Sequence, residues 1–181
     1  AVPIAIERVA EKPFCDLLHF KRLGVAEHRR GDPAILLVAP MSGHHATLLR
    51  GTVEALLPDH EVYVTDWIDA RLVAKEEGRF GLDAYIDYVL DFMRVVAERD
   101  RPGTLSPYHA MAVCQPAPAV LAAAAILAEQ DAAHAPAGMI LMGGPVDTRA
   151  NPTIVTQAAE NRSMAAVPSI RASCSCAPSW R

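Results

Sequence analysis

Residues 108–130 read YHAMAVCQPAPAVLAAAAILAEQ. No charge interrupts them from Ala110 to Ala128, almost the length of apolar chain that a membrane-crossing helix needs. Pro116 and Pro118 argue against one continuous helix, since each removes a backbone donor inside the run. A buried strand over Tyr108–Val113, a tight turn at Cys114 and an alanine-rich buried helix reaching Gln130 account for the same stretch without a membrane. No membrane-spanning segment is expected.

The same alternation recurs on the N-terminal side of this segment and once more after it. Phe14–Phe20 and Ala34–Ala39 are short apolar runs, the second bounded by Gly31-Asp32-Pro33 and Pro40, as buried strands usually are. Leu49, Val53, Leu56 and Leu57 make one helical stripe that Pro58 stops. Glu61–Thr65 is a β-branched strand with Asp66-Trp67 just past its end. There the pair either lines a site or serves as a capping aspartate and a packed indole. Leu82, Tyr85, Ile86, Val89, Leu90, Met93 and Val96 trace the clearest helical stripe, with Asp83, Asp87, Asp91 and Arg94 largely off it. Ala137–Met142 is a last strand, ended by Gly143-Gly144-Pro145. Strands separated by helices require right-handed crossovers and a largely parallel sheet covered on both faces. The fold class is α/β, doubly wound. Function in such sheets collects at the carboxyl ends of the strands, here Pro40–His45, Asp66–Ala70, Cys114–Pro116 and Gly143–Arg149.

Composition sets the outer bounds. With 181 residues the chain is sized for one domain or part of one. Seventeen basic residues against 21 acidic ones leave a net charge of −4, without the basic footprint that a nucleic-acid backbone demands. A hydrophobic share of 51% is far too high for a disordered chain and sufficient for a core. The four cysteines, Cys15, Cys114, Cys174 and Cys176, do not make a disulfide framework and fit a reduced, cytoplasmic setting. The N-terminal AVPIAIERVAEKPF has no basic start followed by an apolar stretch and does not read as a secretory signal. No internal repeat and no glycine-rich phosphate loop is present, Gly143-Gly144-Pro145 being too short for one, so neither a nucleotide nor a metal cofactor is expected.

The chemistry concentrates at Cys114. Ala112-Val113-Cys114-Gln115-Pro116 sets a thiol at a strand-to-helix junction, the layout of a nucleophile elbow, with alanine and proline in place of the usual flanking glycines. Alanine meets the demand for close packing on the strand side, and Pro116 in a first helical turn costs little. Pro118 removes what would be an early intrahelical bond, so an irregular first turn is expected. A helix N-terminus favours the anionic, nucleophilic form of a thiol. The backbone N–H of Gln115 would face the same space and hold an oxyanion, with a second donor from Met41 or Ser42 in the Pro40–Gly43 loop. The competing expectation is that Cys114 is a buried small hydrophobe.

Four blocks together resemble the intracellular polyhydroxyalkanoate (polyhydroxybutyrate) depolymerases: LLVAPMSGHHATLLRGTVEALLPDHEVYVTDW (36–67), GRFGLDAYIDYVLDFM (78–93), AVCQPAPAVLAA (112–123) and LMGGPVDTRANPT (141–153). The resemblance runs from about Pro13 to Glu160. It implies an α/β-hydrolase-like fold, incomplete at its C-terminal end, a cysteine nucleophile at Cys114, and an oxyanion region at Gln115 and Met41–Ser42. It also implies a polyester or granule surface as partner. The triad acid and histidine of that family lie downstream, beyond further strands, and this sequence has no such strands.

From Arg162 the composition turns to RSMAAVPSIRASCSCAPSWR, rich in Ser, Ala, Arg and Pro and without period. We expect a partial hydrolase-like domain over 1–161 and a divergent, disordered tail over 162–181, arising from a shifted frame or a premature end. Cys174 and Cys176 are too close for an ordinary disulfide and lack neighbours for a metal site. Asp147, after the last strand, is the candidate acid or else the carboxylate of a local turn. His44, in the SGH block, bears on loop shape more than on proton transfer. Without a histidine partner a cysteine loses its general base, so turnover should be severely reduced. A polyester synthase acting through the same thiol, and a non-catalytic granule-binding protein, are the alternatives. An open apolar sheet edge after the last strand would promote self-association.

Overall fold

The computed structural model of the protein describes residues 3–24, 32–41, 49–99 and 105–150, with residues 152, 154, 156 and 157. Six strands form one sheet: β1 (Ile4–Lys12), β2 (Cys15–Arg22), β3 (Ala34–Val38), β4 (Glu61–Trp67), β5 (Tyr108–Val113) and β6 (Gly138–Met142). Three helices connect them: α1 (Arg50–Leu56) between β3 and β4, α2 (Leu82–Ala97) between β4 and β5, and α3 (Ala117–Gln130) between β5 and β6. The sheet order is β1-β2-β4-β3-β5-β6. The expected α/β class is observed, and among the described residues no helix is long and apolar enough to cross a membrane.

The sheet is mixed. β4, β3, β5 and β6 run parallel, whereas β1 pairs antiparallel with β2 and β2 antiparallel with β4. The two-residue connection Pro13-Phe14 makes β1 and β2 a hairpin, with Lys12 opposite Cys15. β1 was not expected from the sequence: a register shift between Arg8 and Ala10 breaks its two-residue period, and its charges suit a sheet edge. β4 extends through Trp67, two residues beyond the expected end, because it follows β2 as far as Cys15.

Strand order fixes the faces. The β3-to-β4 crossover goes one way along the sheet and the β4-to-β5 crossover returns over β3, so right-handedness puts α1 on one face and α2 with α3 on the other. The last two pack against each other. On the two faces of the sheet Leu36, Leu37, Val38, Val62 and Val64 are buried, as are Val89, Phe92, Met93 and Val96 of α2 and Val120 and Leu127 of α3. Each such side chain contributes about 1.5–3 kcal/mol by leaving water. Ala117, Ala119 and Ala123 are buried on α3, where small side chains let the helix lie close. Leu82, at the first position of α2, lies outside this core and is exposed. β6 is also less covered, with Met139, Ile140 and Met142 each 40–46% exposed.

An ion network closes the amino-terminal end of the sheet. The buried Arg22 guanidinium donates to Asp32 (2.9 Å) and Glu61 (2.7 Å), and His19 Nε2 lies 2.8 Å from the other Glu61 oxygen while its ring stacks on Tyr63. The hydrogen bond with His19, reinforced by that from Arg22, outweighs burial and draws the Glu61 carboxyl down to about 2. Its usual value in an unfolded chain is about 4.3. The Glu61 contribution to stability is therefore complete above that value and lost as pH falls through about 2. The stability advantage of the native chain over Glu61→Gln, read from denaturant midpoints, is expected to be full at about pH 5 and to shrink steadily on acidification. An advantage that does not change with acid would separate Glu61 from this network.

Candidate active site

Cys114 follows β5 directly and takes φ +68°, the one non-glycine residue with positive φ among those described. That conformation is costly for a side chain with a Cβ, roughly 1–2 kcal/mol, so neighbouring contacts must hold it. They do so from two sides. The Cys114 amide donates to Met142 O at the end of β6 (2.7 Å), and its carbonyl accepts from Ala117 N at the start of α3 (3.2 Å). The thiol is exposed at the sheet rim, and the expectation of a buried small hydrophobe does not hold.

Pro116 occupies the N-cap of α3, one position earlier than a first-turn residue, and Pro118 falls in the first helical turn. The first amides of a helix have no intrahelical acceptor, so Pro118 removes no bond and the irregular first turn expected from it is not needed. Gly144 completes the elbow. A Cβ there would stand 2.0 Å from Ala117 Cβ and 2.9 Å from Cys114 O. The sequence shows a glycine pair after a strand; it does not show what the glycine must clear.

The facing wall comes from the end of β3. Ala39 is tied to β4 through both of its backbone groups: its N–H donates to Thr65 Oγ1 (2.8 Å), and its carbonyl accepts from Trp67 Nε1 (2.8 Å). Thr65 and Trp67 are both buried. Trp67 is thus a packed indole and does not line the site, while Asp66 lies opposite Asp16 of β2. Two residues after Ala39, the Met41 amide donates to Gln115 Oε1 (3.3 Å), and Gln115 Nε2 lies 4.0 Å from Met41 Sδ. β3 and β5 are adjacent strands whose onward connections leave in opposite directions, so Met41 and Cys114 flank a topological switch point, where open α/β sheets bind ligands.

The other residues expected here are not joined to Cys114. Ser42 and His44 lie outside the described residues. Asp147 is exposed and bound within its own turn: it accepts the Arg149 amide (3.0 Å) and both ends of the guanidinium (3.0 and 3.1 Å). The Arg149 hydrogen bonds hold its carboxyl below the usual range. This is the local-turn alternative. The described histidines lie toward the opposite end of the sheet: His19 beside Glu61, His60 before β4, His109 in the first half of β5, and His134 with Asp131 and Glu98. Among the described residues no group of three or more His, Cys, Asp or Glu side chains is placed to hold a metal ion. Cys15, unlike Cys114, is buried. Burial, followed by Asp66 and Asp16, pushes its thiol well above the ordinary range.

Solved structures share this architecture. A putative carboxylesterase from Lactobacillus plantarum superposes with a TM-score of 0.52 at 7% identity, over 86% of this chain and 66% of that one. A fungal esterase from Rhizomucor miehei superposes with a TM-score of 0.53 at 15% identity, over 87% of this chain and 49% of the other. The chain thus spans less than two thirds of the length of either. No family model matches it, and no curated protein matches it in sequence. At these identities the likeness is one of fold: a mostly parallel, mixed sheet of the α/β-hydrolase type.

Two substitutions test the elbow. Gly144→Ala is expected to cost about 1–3 kcal/mol, because the added methyl cannot clear Ala117 without moving α3 or β6. Cys114→Gly should be at least as stable as Cys114→Ala, since relief of positive-φ strain offsets the roughly 0.4–1 kcal/mol that glycine forfeits through the unfolded chain. Denaturant midpoints for both cysteine variants decide this, and a clear advantage for alanine would mean that position 114 is not held left-handed.

Proposed function

We propose that this chain cleaves carboxylic ester bonds through a thioester on Cys114, and that its substrate is a storage polyhydroxyalkanoate held in cytoplasmic granules. The observation that carries the proposal is an exposed cysteine kept at φ +68° beside the switch point of the sheet. Ester hydrolysis is supported by a fold held in common with esterases. The choice of polyester rests on the blocks SGH (42–44), TDW (65–67), VCQP (113–116) and GPVDTR (144–149).

In the first step the Cys114 thiolate adds to the ester carbonyl. The S–C bond forms, the C–O bond breaks, and the departing alkoxide takes up a proton. The Gln115 amide and that of Met41 or Ser42 would stabilise the oxyanion between these events. In the second step water adds to the thioester, the S–C bond breaks, and the hydroxyacid leaves as the thiolate is restored. That step needs a base, and no described histidine stands at this rim. Asp147 is the proposed helper, only if Arg149 releases it, with His44 bearing on the shape of the loop. We therefore expect acylation to outrun deacylation.

With 4-nitrophenyl butyrate the chain is expected to release about one equivalent of nitrophenol in a burst, with the butyryl group located on Cys114 by mass spectrometry. Release of hydroxybutyrate from amorphous granules should be slow and absent in Cys114→Ala. A burst or release that survives Cys114→Ala would remove this residue from the chemistry. A burst on the soluble ester without acylation by granules would discard the polyester and leave an esterase of another substrate. Granule binding with neither would support the non-catalytic alternative.

A further inference from the structure

The Gln115 side chain makes two contacts with one residue across the switch point. Its carboxamide oxygen accepts the Met41 N–H at 3.3 Å, and its carboxamide nitrogen lies 4.0 Å from Met41 Sδ. A carboxamide oxygen is a planar carbonyl acceptor, as the oxygen of an ester is. The Met41 amide is one of the two groups put forward above as the second oxyanion donor, and it is already occupied by the residue next to the nucleophile. Gln115 is itself exposed, so no packing requirement holds its side chain across the gap. A 3.3 Å separation lies beyond the ordinary N–H···O range, which makes the contact cheap to displace.

We infer that the Gln115 side chain is a built-in plug of the oxyanion pocket: its Oε1 stands in for the substrate carbonyl on the Met41 amide and must swing away before an ester can be activated there. This rests on the proposed role of Cys114. The backbone N–H of Gln115 and its side chain then have opposite effects, the first stabilising the oxyanion and the second competing with it. Such a plug keeps the Met41 amide bonded within the protein while the site is empty. It also imposes a threshold on esters that bind too weakly to displace it.

The test compares single-turnover acylation of Cys114 by 4-nitrophenyl butyrate in Gln115→Ala, Gln115→Met and Gln115→Glu. If the plug competes for the amide, rate follows acceptor strength and not side-chain size. Gln115→Ala and Gln115→Met should both be faster than the native chain by roughly two- to threefold, the low end of the worth of a hydrogen bond. Gln115→Glu, of the same size but holding the amide by a charge-assisted bond, should be slower, and should recover relative to the native chain as pH falls below about 4.3. Rates that are equal across the series, or that follow size, would overturn the plug. Alkylation by iodoacetamide, which forms no oxyanion, separates the two levels. If Cys114 is alkylated selectively over Cys15 while its acylation ignores residue 115, only the plug fails. If Cys114 shows no selective alkylation, the elbow and the plug fail together.

Discussion

A residue with a side chain does not rest at φ +68° unless the structure on either side leaves it no alternative. At Cys114 the alternatives are removed by two backbone hydrogen bonds that pull in different directions, one to the last residue of β6 and one from the first turn of α3. Neither bond is strong alone. They persist because β5, β6 and α3 are packed together, with Ala110, Ala112, Ala117, Ala119 and Val120 all buried. The strain of the turn, of order 1–2 kcal/mol, is small against the apolar surface these segments remove from water. Gly144 belongs to the same constraint, since any side chain there would meet the helix that defines the turn.

The opposite wall is fixed by different means. Nothing strains the backbone at Ala39. Its two polar groups are taken up by Thr65 and Trp67, buried side chains of β4. Burying these groups without partners would cost about 1–3 kcal/mol each, so the exit of β3 is held by satisfaction as the exit of β5 is held by sterics. The Gln115 carboxamide reaches from one of these walls to the other.

What could be read from the chain and what could not divide along a physical line. Local periodicity was enough for β5, found as expected from Tyr108 to Val113, and for α2, whose stripe from Tyr85 to Val96 is the buried face. It failed for β1, where the bulge near Val9 shifts the alternation, and for the end of β4, whose length is set by its antiparallel partner. The junction at Cys114 was legible because a strand, a turn and a helix in immediate succession leave one side chain at the rim. The contacts of Gly144 with Ala117 and of Thr65 with Ala39 were not, since they join residues far apart in sequence and no local pattern records them. Asp147 illustrates a third case. Its position after a strand suggested chemistry, yet the arginine two residues on was sufficient to explain it.

The two margins of the sheet are chemically unlike. On β1, Glu7, Arg8, Glu11 and Lys12 interrupt the apolar residues, and Arg8 and Lys12 are paired with Asp16 and Asp91. On β6, Gly138-Met139-Ile140-Leu141-Met142 carries no charge at all. Charges along an outer strand discourage further pairing, and their absence permits it. Among the described residues, the β6 margin is thus the one that charge leaves open to a further strand. Because β6 is parallel to β5, any strand added parallel to it would end on the rim that carries Cys114.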